Sequence, residues 1–135
     1  MANKKKRPAV NKFQQEVIRL VKEWKIRLRL QDWDMELVFP AFDFGSIAEV
    51  TTNMNSKAAQ ISFRNPDIHP PQLQGSITHD TEVTVVHELL HIAEAALPSE
   101  AKKILQNDPH HEAFIDLTAQ ALVAAKRGVE RLPLL

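Results

Sequence analysis

His87-Glu88-Leu89-Leu90-His91 sets two imidazoles four residues apart with a carboxylate beside the first. On a helix, residues four apart stand one turn above each other on one face, so both rings can reach a single cation. The glutamate between them points to the side, where it can take a proton from an activated water without filling a coordination position. The chemistry this pattern permits is metal-assisted hydrolysis with Glu88 as general base. A histidine beside an apolar core is more often an ordinary satisfied core residue, and the surroundings decide between the two. Projected at about 100° per residue, Val83, Val86, Leu90, Ala93 and Leu97 cover one face, and Val85, Leu89, Ile92 and Ala96 cover the next. Such a helix must be largely buried. Its polar stripe is Thr84, His87, Glu88, His91 and Glu94, and a pair of histidines with a glutamate beside a core is costly unless paired or bound to a metal.

The chain has no cysteine, so disulfides and thiolate ligands are excluded and only His, Asp and Glu remain as strong ligands. One zinc ion is the default for such nitrogen and oxygen donors. A catalytic zinc site usually has three protein ligands, so a third is needed. The candidates lie together in His110-His111-Glu112-Ala113-Phe114-Ile115-Asp116. Glu112 is favoured, because Asp116 follows one turn later and can accept a hydrogen bond from a ligand histidine. His110 and His111 remain alternatives. His69 and His79 read as ordinary loop and cap residues.

The segment from Thr78 to Val123, with His87-Glu88-Leu89-Leu90-His91 followed 21 residues later by Glu112-Ala113-Phe114-Ile115-Asp116, resembles the gluzincin-type metallopeptidases, whose motif is HExxH followed by a glutamate ligand in ExxxD. Together with the Trp33-Asp34-Met35-Glu36 strand, it also looks like short metallopeptidase-like proteins of phages and bacteria. The resemblance implies a minimal zincin-like domain with His87, His91 and Glu112 on zinc and Glu88 as base. The SprT-like group is the alternative relative, with His110 starting the last helix and Phe114 following four residues on. Metzincins are a poorer match, since Glu94 and Leu97 stand where their glycine and third histidine belong. The chain also has no tyrosine, so a His, an Arg or a backbone amide must take the part that tyrosine plays in some zinc peptidases.

The elements that must position these residues follow from periodicity. Phe13, Val17, Leu20, Val21, Trp24 and Leu28 recur every three or four residues, predicting an amphipathic helix over about 10–30. Trp33, Met35, Leu37 and Phe39 alternate with Asp34, Glu36 and Val38, predicting a half-buried strand that Pro40 stops. Strands follow over 46–52 and 57–63, the last with Ala59, Ile61 and Phe63 on one face. Pro66, Pro70 and Pro71 make 65–75 a surface loop. Asp80 caps a helix over about 81–96 that Pro98 stops, and a last helix runs over about 109–126. The fold class is α+β: an N-terminal helix, a small twisted antiparallel sheet of about three strands, then two packed helices carrying the metal site. Residues 10–127 form a single domain, between a basic disordered tail (1–9) and a short C-terminal tail (128–135).

Residues 1–30 hold ten Lys/Arg against two Glu, a balance of +8; the whole chain nets to zero, so the remainder carries −8. Lys4, Lys5, Lys6 and Arg7 make nucleic acid a weaker candidate partner beside a peptide or protein substrate, because so short a run is usually a solvated tail. They also define the competing reading, a non-catalytic metal-binding regulatory module associated with nucleic acid. With no stretch of about 18 apolar residues and no apolar signal region near the start, no membrane span is expected and the cytoplasm is the expected compartment.

Overall fold

The computed structural model describes residues 11–41, 45–65 and 80–133. The basic tail, the proline-rich loop from Pro66 onward, His69 and His79 lie outside the described residues. Helix α1 (Lys12–Arg27) is started by Asn11, whose side chain accepts from the Gln14 N–H at 2.8 Å. Its expected stripe is the buried one: Val17, Leu20, Val21 and Trp24 are all at most 4% exposed. Phe13 stands edge-on to Phe39, which stacks on Phe63, so three aromatic rings tie this helix to the sheet.

Strands β1 (Asp34–Val38), β2 (Ala48–Asn53) and β3 (Ala58–Phe63) form a three-stranded sheet in the order β1-β3-β2. β2 and β3 form the antiparallel hairpin that the turn residues imply, with the Asn53 side chain accepting from the N–H groups of Asn55 and Ser56. The expectation of a wholly antiparallel sheet is corrected at β1, which runs parallel to β3 with Met35 opposite Ala59 and Leu37 opposite Ile61. Alternation specifies a strand and its faces but not its partner. Here β2 takes the far edge from β1, and β3 returns between the two earlier strands. Ala59, Ile61 and Phe63 do share the buried face. As a result β2 is an edge strand among the described residues, and it packs against the next helix.

Helix α2 (Thr81–Glu94) is the central element, packed on α1, on β2 and on the last helix. Asp80 caps it as expected, accepting from the N–H groups of Glu82 and Val83 at 3.0 and 3.2 Å. Val85, Val86, Leu89 and Ile92 are fully buried. A short helix α3 (Ser99–Asn107) follows Pro98 and was not expected from sequence, so among the described residues three helices follow the sheet where two were anticipated. It has 9 residues and buries none of them fully, so its apolar positions Ala101, Ile104 and Leu105 make too short a run to be recognised as a helical stripe. Pro98 stops α2 and also opens α3, a position where proline is tolerated. Helix α4 (His111–Arg127) ends at Gly128, whose φ of 71° supplies the left-handed cap. Beyond it, Leu132 packs against the core. No helix among the described residues is long and apolar enough to cross a membrane.

The start of α2 and the end of α4 are joined by ions. Glu82, 6% exposed, accepts from the Trp24 indole N–H at 2.7 Å, from Lys126 and from Arg127, while Arg127 also donates to Asp80 at 2.9 and 3.2 Å. Burial opposes ionisation of both carboxyls, but the hydrogen bonds and charges outweigh it: Arg127 and the helix N–H groups hold Asp80 below its ordinary value, and Lys126, Trp24 and Arg127 do the same for Glu82. A carboxyl lowered in the folded state contributes stability above its unfolded pKa of about 4, and that contribution is lost as the pH falls through the lowered value. Denaturant midpoints are therefore expected to fall progressively below about pH 4. Glu82→Gln, which leaves Lys126 to Glu23 and Arg127 to Asp80, should cost about 2 kcal/mol at neutral pH and flatten the acid limb. An unchanged acid limb in the variant would contradict this assignment.

Candidate metal centre

The polar stripe of α2 faces the N-terminal turns of α4, and the site is assembled where these two helices pack. His87 and His91 stand one turn apart, with ring centroids 5.0 Å apart and Nε2 atoms 3.3 Å apart. Glu112, in the first turn of α4, reaches both rings: its Oε2 lies 2.8 Å from His87 Nε2 and its Oε1 3.0 Å from His91 Nε2. The remaining ring nitrogens turn toward other carboxylates. His87 Nδ1 is 3.5 Å from Asp116 Oδ1, and His91 Nδ1 is 3.7 Å from Glu94 Oε1.

Of the three candidates for a third donor, Glu112 is the one brought to both histidines. His111 instead places Nε2 2.8 Å from Glu94 Oε2, and the N–H of His110 donates to the Asp108 side chain at the start of α4. Asp116 stands one turn beyond Glu112, where sequence spacing expects it, and its Oδ2 also accepts from Gln120. Burial would raise the Glu112 carboxyl, but the charges and hydrogen bonds of His91 and His87 hold it below its ordinary value.

Among the described residues, two groups of ligand atoms lie close enough together for a metal ion: His87, His91 and Glu112, and a second group of His91, Glu94 and His111. The first fits zinc by donor chemistry, since imidazole and carboxylate are the ligands zinc takes in the absence of thiolates. It also fits by spacing. Tetrahedral bonds of about 2.0–2.1 Å set donors about 3.3 Å apart, the separation of the two Nε2 atoms, and the Glu112 oxygens sit within half an ångström of it.

Glu88 belongs to neither group and lies to the side, as its place in the motif implies. It is 7% exposed and lines a cleft of about 630 Å³ together with His91, Glu94, Glu112, β2 from Ala48 to Thr52, and Lys102 and Leu105 of α3. Burial pushes its carboxyl up to about 7; His87 opposes the rise, and Glu112 and Glu49 add to it. Sequence reasoning put Glu94 on the polar stripe but gave it no role, and missed Glu49 and Lys102 as parts of this cleft. The i,i+3 spacing of Glu94 from His91 was a usable signal, whereas the other two reach the cleft only through tertiary packing. Compared with known proteins, the chain matches no family model, no curated protein and no solved structure.

Proposed function

We propose that the chain is a zinc-dependent metallopeptidase, with His87, His91 and Glu112 holding one zinc ion and Glu88 serving as general base. The observation that carries this reading is the convergence of two histidine Nε2 atoms and one carboxylate within 3.3 Å, next to a buried glutamate on an open cleft. When bound, zinc would supply Lewis acidity to a water and to the substrate carbonyl. Glu88 takes the proton released as the water attacks the carbonyl carbon, then returns it to the departing amine as the C–N bond breaks. A carboxyl raised by burial is suited to both transfers, because its proton affinity is closer to neutrality than that of an exposed glutamate.

The substrate side is supplied by β2. This strand lines the same cleft, and its edge away from β3 pairs with no other strand among the described residues, so it can offer main-chain groups to an extended peptide, which fits a peptide or protein substrate with little sequence preference. Lys102 is the cationic side chain on the cleft wall, and its ammonium donates to the Ala95 carbonyl at 3.3 Å. The resemblance of the HExxH and ExxxD segments to gluzincins agrees with this assignment. The regulatory alternative, in which the same ligands hold metal without turnover, rests on the basic N-terminal residues alone. The test is cleavage of an unfolded protein substrate with zinc supplied, followed by chelation and zinc re-addition. Cleavage that disappears and returns supports the enzyme; no cleavage by a zinc-loaded chain would favour the regulatory reading.

A further inference from the structure

A neutral imidazole that offers Nε2 to a metal must carry its proton on Nδ1, and that N–H needs an acceptor to hold the ring in place. For His87 the facing acceptor is Asp116. For His91 it is Glu94, whose Oε1 is buried with no hydrogen-bond partner and lies 3.7 Å from His91 Nδ1. A buried carboxylate oxygen left alone is costly. A movement of about 1 Å would close this gap to hydrogen-bond length. The other oxygen of Glu94 is held at 2.8 Å by His111 Nε2, so the carboxylate is anchored from α4. The His91 and His111 rings meet edge to face with centroids 5.8 Å apart, which places the whole pair directly behind His91.

We propose that Glu94 and His111 form a positioning pair that fixes the His91 ring with Nε2 toward the metal; this rests on the metal site proposed above. The two residues are not ligands of a second cation beside the first. His91 is common to both donor groups, and a neutral ring has one lone pair to give. Serving two ions would require stripping its remaining proton. The arrangement works instead as a line of support running from His111 through Glu94 and His91 to the metal.

The experiment measures zinc affinity by chelator competition, zinc stoichiometry, and the visible spectrum of the cobalt-substituted protein. It compares the wild-type chain with Glu94→Leu, Glu94→Gln and His111→Ala, and circular dichroism of each metal-free form checks folding. Glu94→Leu is expected to keep one equivalent but bind it about 10–100-fold more weakly, with altered cobalt bands. Glu94→Gln, whose amide oxygen can still accept from Nδ1–H, should restore most of the affinity and the wild-type spectrum. His111→Ala releases Glu94 without removing it, should weaken binding about tenfold, and carries the test if Glu94→Leu does not fold. Wild-type affinity in both Glu94→Leu and His111→Ala would overturn the proposal while leaving the metal site intact. Two equivalents in the wild type falling to one in the variants would also overturn it, by making the pair ligands. A wild type that binds no zinc would remove this proposal together with the site it rests on.

Discussion

Glu88→Gln is expected to lower the rate of peptide hydrolysis by about 10²–10⁴-fold while leaving the bound metal in place. Glutamine preserves the volume of a side chain that is only 7% exposed, so the wall of α2 and the cleft keep their packing. It belongs to neither group of metal-ligating atoms. What the amide cannot do is accept a proton from the attacking water, and that transfer is the whole of the role assigned to Glu88. Initial rates and metal content measured on the same preparations check both halves of the statement. Unchanged rates would remove Glu88 as the base, and lost metal would make it a ligand.

Glu112→Ala is the second large effect, and its comparison with His111→Ala settles which residue is the third donor. Structural zinc sites bind with about 10–16 kcal/mol shared over four ligands, so loss of one donor should weaken binding on the order of 10²–10³-fold. Glu112 is 68% exposed at its side chain and stands at the first turn of α4, so its removal should leave the fold unharmed. The loss can then be read as loss of a ligand. His111→Ala acts through Glu94 and the ring contact with His91 and should cost about tenfold. Chelator competition ranks the two, and a larger loss in His111→Ala would transfer the ligand role to His111.

The contrast between these two neighbours shows where sequence stops being informative. Both follow the HExxH segment at plausible spacing, and one residue of helical register separates them. Asp116 tips the choice toward Glu112, since a carboxylate one turn beyond the ligand can support a histidine, and it does lie 3.5 Å from His87 Nδ1. The burial of α2 was legible because its apolar residues wrap more than half of the helix, and the Asp80 cap because its oxygen precedes the first turn. The direction of β1 was not legible. Period-two alternation is the same for either direction, and only the strand order β1-β3-β2 decides it. Helix α3 was hidden for a different reason: lying on the rim of the cleft, it is 9 residues long and its apolar run of Ala101, Ile104 and Leu105 is too short to stand out in the sequence. The raised carboxyl of Glu88 likewise depends on burial that only tertiary packing creates, with a smaller contribution from Glu49, which β2 brings close from 39 residues away.

The most direct test of the central claim is the metal content of the purified chain by elemental mass spectrometry, with and without added zinc, beside a His87→Ala, His91→Ala double variant. The account predicts about one equivalent of zinc in the native chain and none in the double variant. A native chain that holds no metal after zinc is supplied, or a double variant that holds as much as the native chain, would contradict it.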